Sequence, residues 1–105
     1  MSEETVTSLE RGDDVVTVVL RGEVDVLNVG QVRVALEEAL ESRPRTIVVD
    51  LSGLSFIDSS GLGSLTFGFQ RARDSGIAFR LARPGPAVRR ILVLSGLLEV
   101  VELSE

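Results

Sequence analysis

The sequence predicts an α/β fold in which a mixed sheet of four to five strands packs with three or more helices. The segment Ile47–Leu51 is a nearly continuous apolar run, which is typical of a central strand buried on both faces. Elsewhere, segments with helical periodicity alternate with short β-branched runs after an initial hairpin. At 105 residues the chain is long enough for one hydrophobic core, so we expect a single domain over residues 1–105.

The first predicted elements are the two strands of a hairpin. The run Val15–Leu20 is rich in β-branched residues and lies between turn residues, with Arg21-Gly22 at its end. The preceding segment, Thr5–Glu10, alternates Val6 against the polar Thr7 and Ser8 and is predicted to be an edge strand that pairs through the intervening turn.

A helix follows, capped by Asn28 and running to about Ser42. Its predicted core side consists of apolar residues at helical spacing, namely Val32, Ala35, Leu36, Ala39 and Leu40. The dipeptide Arg43-Pro44 ends it, because proline disfavours helical geometry in the residue before it.

The second half of the chain continues the alternation of strand and helix. Glycine and proline residues separate the segments and supply helix ends. The predicted elements are a helix from about Ser59 to Asp74, a strand at Ile77–Ala82, a helix from about Pro86 to Leu94 and a short last strand at Val100–Leu103.

The composition argues against most kinds of catalysis. The chain has no Cys, His, Tyr or Trp, and all 11 basic residues are Arg. Thiol and histidine chemistry, cysteine or histidine metal sites and a phosphate-binding lysine are therefore excluded. Asp50 and Asp58 could still bind a divalent cation or form an acid/base pair, although carboxylates after strands are common. We predict no catalytic residue, no metal ligand and no cofactor.

Charge and hydropathy indicate the kind of partner. The net charge of −5 argues against nucleic-acid binding and favours a basic or amphoteric protein partner. Charged residues interrupt every apolar run before it reaches the roughly 18 residues of a membrane span. The first residues, MSEE, lack the positive segment of a signal peptide, so we expect a cytoplasmic protein with no membrane partner.

The most informative motif is the stretch from Thr46 to Gly63, in which a buried strand leads to two serines at a helix start. A helix N-terminus carries unpaired N–H groups and partial positive charge, so a phosphate attached to a serine there would be held. Asp58 is predicted to cap this helix by accepting a hydrogen bond from the N–H of Ser60 or Gly61. The alternative is that both serines are only helix caps.

Three motifs in order, GEVD at residues 22–25, DLSGLSFIDSSGLG and PAVRRILVLSGL, resemble the STAS family, and within it the anti-sigma factor antagonists. The resemblance implies a STAS-like sandwich whose serine is phosphorylated by the anti-sigma factor kinase that it captures, and is reset by a serine phosphatase. The acceptor would be Ser60, with Ser59 as the alternative. A non-phosphorylated scaffold or an accessory subunit of a signalling or transport complex is the other interpretation. The oligomeric state, monomer or weak dimer, stays open.

The resemblance also implies a partner-binding surface around the serines. The turn Gly22–Asp25 is expected beside the phosphorylation site, and Gly61 and Gly63 are expected to leave room for a partner. The predicted partner-binding residues are Glu23, Asp25, Ser59, Gly63, Ser64 and Phe67.

Phe67 is placed away from the predicted apolar side of its helix, which consists of Leu62, Leu65, Phe69 and Ala72. Two interpretations remain open for this ring. It either packs beneath a neighbouring helix or forms an exposed contact for a partner.

Overall fold

The computed structural model describes residues 7–104, so the predicted strand residues Thr5 and Val6 lie outside the described part. Within it, the elements are β1 (Thr7–Arg11), β2 (Val15–Val24), α1 (Val29–Glu41), β3 (Thr46–Ile57), α2 (Ser59–Asp74), β4 (Ala78–Ala82), α3 (Pro86–Ser95), a 3₁₀ turn (Leu97–Glu99) and β5 (Glu102–Ser104). The predicted order of strands and helices is confirmed. The last strand begins two residues later than predicted because the 3₁₀ turn precedes it.

The described strands form one mixed sheet in the order β1-β2-β3-β4-β5. β1 pairs antiparallel with β2, and every later neighbouring pair is parallel. Each parallel connection contains a helix, and right-handed crossovers between sequential neighbours place these helices on the same face of the sheet. None of the helices within residues 7–104 is long and apolar enough to cross a membrane.

The core lies between the sheet and the helices. Large side chains from the strands, such as Leu20, Ile47 and Leu81, are fully buried there. The predicted core side of α1 is confirmed, since all five of its apolar residues are buried. The buried side of α2 contains small residues: Gly61, Ser64, Gly68 and Ala72, together with Leu65.

Two strands are longer than predicted, because the structure extends β2 to Val24 and β3 to Ile57. The predicted turn at Gly22–Asp25 is therefore wrong for its first three residues, which are strand. Two register shifts between β2 and β3 insert extra residues into β3. As a result Leu51, Leu54 and Ile57 are buried three residues apart, and the alternation that normally indicates a strand is lost.

Candidate protein-interaction site

The carboxyl ends of β2 and β3 bring the loops that begin α1 and α2 to the same edge of the sheet. Val24 is paired with Ile57, and the Asp58 N–H donates a hydrogen bond to the Val24 carbonyl oxygen at 3.1 Å. The Ser55 hydroxyl donates to the Gly22 carbonyl oxygen at 3.0 Å. The acidic end of β2 and the serines at the start of α2 therefore form one surface region.

Ser59 and Ser60 are the first two residues of α2, and Asp58 caps the helix. The Asp58 side chain accepts a hydrogen bond from the Gly61 N–H at 3.0 Å, which is one of the two donors predicted for it. Ser59 is exposed and Ser60 is half-buried. Within residues 7–104 neither serine hydroxyl has a hydrogen-bond partner. The N–H groups of both serines belong to the first turn, which leaves them available to an anion.

The loop from β2 to α1 is held by the side chains of Asp25 and Asn28. The Asn28 amide donates to the Glu23 carbonyl oxygen at 2.8 Å and accepts from the Asp25 N–H at 2.9 Å. Asp25 in turn accepts from the Leu27 N–H at 3.0 Å. Asn28 occupies the cap position but makes no side-chain hydrogen bond to α1. The predicted position of Asn28 at the start of the helix is confirmed, but its side chain does not cap the helix because its amide binds the preceding loop instead.

Glu23 and Asp25 lie at this edge, as expected. Glu23 is exposed and Asp25 is half-buried. They flank Val24, which is paired with Ile57 directly before the Asp58 cap, so the segments that meet at the start of α2 carry three acidic residues.

Two small residues in the first turns of α2 have a structural role that differs from the predicted one. A Cβ on Gly61 would collide with the Ile57 side chain and lie 2.9 Å from Val24 Cγ1, so Gly61 is needed for packing rather than for a partner's approach. Ser64 is fully buried, and its hydroxyl donates to the Gly61 carbonyl oxygen at 2.6 Å. The prediction that Ser64 contacts a partner is therefore wrong. Gly63 is exposed, with open space around it.

Phe67 is half-buried and packs between two arginines of the same chain. The guanidinium carbon of Arg33 from α1 lies 4.5 Å from the ring centroid, and that of Arg71 lies 5.3 Å from it. Such stacking is a cation–π contact. The structure corrects the prediction that Phe67 is an exposed partner contact and agrees with the alternative, packing against a neighbouring helix.

The two aspartates considered as an acid/base pair have separate partners. Asp58 caps α2, whereas Asp50 forms an ion pair with Arg83 at 2.9 Å. Burial raises the pKa of Asp50, but hydrogen bonds from Ser52 and Arg83 and the charge of Arg83 outweigh it, so the pKa lies below its usual value. Asp50 is thus a structural ion-pair residue.

The geometry can be compared with known proteins. The family model described as "STAS domain" matches residues 7–105 of this chain. The chain belongs to the STAS domain family. A relative from Lysinibacillus sphaericus, named anti-sigma F factor antagonist, is 41% identical over 86 residues, covering 77% of this chain and 72% of the relative. One of the same name from Paenibacillus polymyxa is 32% identical over 96 residues, covering 90% of this chain and 82% of the relative.

Solved STAS structures show the same architecture. An anti-sigma factor antagonist from Mycobacterium paratuberculosis aligns with a TM-score of 0.84 at 30% identity, covering 92% of this chain and 82% of that one. The phosphorylated form of the Bacillus cell fate determinant SpoIIAA aligns with a TM-score of 0.72 at 28% identity, covering 94% of this chain and 91% of that one.

Three exposed apolar side chains of this STAS domain lie at the same edge and are not among the predicted site residues. Val26 is 68% exposed, Leu27 is 91% exposed and Phe56, which is paired in register with Glu23, is 43% exposed. The detectable signal is the apolar pair Val26-Leu27 between the polar residues Asp25 and Asn28. We name the adjacent loop residues Val26 and Leu27 the apolar edge patch.

Proposed function

We propose that this STAS domain is an anti-sigma factor antagonist that binds a serine-kinase anti-sigma factor, releases a sigma factor, and is itself released when Ser60 is phosphorylated. The supporting observation is the half-buried Ser60 in the first turn of α2, beside the acidic end of β2. The names of its relatives point to the same class of regulator. Such a regulator works in the cytoplasm, and a serine phosphatase would return it to its binding form.

The chemistry of the step belongs to the partner. The Ser60 hydroxyl oxygen would attack the γ-phosphorus of the ATP held by the kinase, forming an O–P bond while the bond to ADP breaks. The hydroxyl proton would pass to a base on the kinase, and ADP would leave. This chain supplies the acceptor and its position, and we propose that it has no enzymatic activity of its own.

The switch would operate through charge. A phosphate adds about −1.5 to −2 charges, which the first-turn N–H groups of α2 can stabilise in the free protein. In a closed interface the same phosphate would be desolvated near Glu23, Asp25 and Asp58. A penalty of about 3–4 kcal/mol there would weaken binding by two to three decades, at about 1.4 kcal/mol per decade. Release would require little change in fold.

Phosphosite mapping with the cognate kinase tests the proposal. We expect the parent chain and Ser59→Ala to incorporate phosphate, and Ser60→Ala to bind the kinase without being modified. Ser60→Glu should remain folded but bind poorly. Undiminished incorporation in Ser60→Ala, together with its loss in Ser59→Ala, would move the acceptor to Ser59. No incorporation in the parent chain would favour the scaffold or accessory-subunit role.

A further inference from the structure

The loop from β2 to α1 presents one of the most exposed apolar side chains of the described residues in a fixed conformation. Leu27 is 91% exposed, yet its own N–H donates to Asp25 Oδ1. The side-chain amide of Asn28 accepts a hydrogen bond from the Asp25 N–H and donates one to the Glu23 carbonyl oxygen. A single exposed leucine is ordinary on a protein surface, but one on a loop held by three side-chain hydrogen bonds is preorganised.

Preorganisation matters because ordering a loop on binding costs free energy. Here the hydrogen bonds of Asp25 and Asn28 already order the backbone in the free protein. Burying Leu27 in a partner's pocket would therefore gain the hydrophobic term with little further loss of backbone freedom.

The charges around the apolar edge patch indicate what kind of pocket would fit. Glu23 and Asp25 come shortly before Val26 and Leu27 in the chain, and Asp25 Oδ1 accepts the hydrogen bond of the Leu27 N–H, so acidic residues adjoin the patch. A partner surface that buries the leucine would meet these carboxylates at its rim, where positive side chains are complementary. The chain's net charge of −5 acts in the same direction.

We propose that Leu27 is the main apolar anchor for the anti-sigma factor, inserting into an apolar pocket bordered by Arg or Lys side chains on that partner. This inference rests on the proposed function and assigns separate roles to Leu27 and Ser60. Leu27 contributes hydrophobic binding free energy in both states of the protein. The phosphate on Ser60 adds the negative charge that ends binding.

Affinity measurements with matched variants test the anchor. The parent chain, Leu27→Ser and Leu94→Ser are each titrated with the purified cognate serine-kinase anti-sigma factor. Leu94 is 79% exposed on α3 and serves as the control. We expect Leu27→Ser to weaken binding about tenfold or more, mainly through faster dissociation, and Leu94→Ser to change it less than about twofold.

Two further variants test the apolar pocket proposed for the partner and the positive side chains proposed at its rim. Leu27→Met, which keeps an apolar side chain of similar size, should bind within about threefold of the parent. Glu23→Gln should mainly slow association and reduce its dependence on salt. Unfolding curves for all variants should match the parent, since Leu27 and Glu23 are exposed.

The outcomes separate the two proposals. If the parent binds the kinase and Leu27→Ser binds equally well, the anchor is overturned while the proposed function stands. If the parent does not bind a serine-kinase anti-sigma factor, the proposed function fails and the anchor fails with it. If Leu27→Ser and Leu94→Ser weaken binding equally, the effect is general surface hydrophobicity and the anchor is again overturned.

Discussion

At the scale of single residues, the two glycines in the first turns of α2 have opposite environments. Gly61 faces Val24 and Ile57 at distances that leave no room for a methyl group, whereas Gly63 faces open space. Both sit beside the candidate acceptor serines, so a change at either position is close to the switch. Only Gly61 determines how closely the start of α2 approaches the ends of β2 and β3.

We predict opposite effects of alanine at these two glycines on the free energy of unfolding. Gly61→Ala should destabilise the chain by about 1–3 kcal/mol, because the new Cβ overpacks the contact with Ile57 and Val24. Gly63→Ala should stabilise it by up to about 1 kcal/mol, because alanine favours an open helical site. Urea denaturation measures both. Equal effects of the two substitutions would contradict this account of Gly61.

At the scale of elements, α1 and α2 pack closely because α2 turns small residues toward its neighbours. A Cβ on Gly68 would lie 3.2 Å from Leu36 Cδ1 of α1 and 3.1 Å from Phe79 Cε2 of β4. The contact continues outward as the stack of Arg33, Phe67 and Arg71. The pair of helices therefore has a tight inner contact and a cation–π contact at its rim.

We predict that Phe67→Ala lowers the free energy of unfolding by about 1–2 kcal/mol, which is less than the loss of a core aromatic ring. The half-buried ring would lose its contacts with both arginines. Phe67→Leu, which retains apolar volume, should lose about half as much. Binding to the anti-sigma factor should stay unchanged in both variants, as measured by titration calorimetry. A loss of stability near 3 kcal/mol or more would instead place the ring in the core.

At the scale of the whole molecule, an ion pair links the middle of the sheet to the connection before α3. Asp50 lies on β3, and Arg83 directly follows β4 in a left-handed conformation, with φ of 56°. The side chain of Asp50 is mostly buried, while that of Arg83 is 54% exposed. The lowered pKa of Asp50 therefore couples the protonation of this carboxyl group to folding.

We predict that Asp50 contributes to the loss of stability in acid. Because its pKa is lower in the folded chain, the unfolded chain takes up the proton first as the pH falls. The stabilisation contributed by Asp50 is present above the pKa of this residue in the unfolded chain, about 3.9. It is lost as the pH drops through the pKa of Asp50 in the folded chain. Asp50→Asn should therefore reduce the difference in unfolding free energy between pH 7 and about pH 3, measured by urea denaturation.

A matched control keeps this experiment specific. Asp74→Asn removes one carboxylate from an exposed position at the end of α2, so any effect of Asp50→Asn beyond that of the control reports on the ion pair with Arg83. An Asp50→Asn variant with the parent's full acid dependence would show that the ion pair with Arg83 does not couple protonation to folding.

The type and order of the elements and the position of the serines follow from the amino-acid sequence alone. These features depend on local signals, namely the apolar run before Asp58 and the spacing of apolar residues in α1. Such signals act within a few residues along the chain, so they are visible without knowing what the segment touches. The carboxylate cap of α2 belongs to this class, since it joins Asp58 to Gly61.

Which side chains of the site face outward depends on contacts between segments that are distant in the chain. The register shifts that extend β2 and β3 depend on pairing between distant segments, and they remove the alternation that a sequence pattern needs. The buried side of α2 contains glycine and serine, which carry no hydrophobic signal, so the sequence pattern suggests Ser64 as a partner contact and leaves both packing and partner contact open for Phe67. The Asn28 amide could form hydrogen bonds either with the first turn of α1 or with the preceding loop. In the folded chain it binds the loop, which holds the backbone that presents Leu27 at the surface.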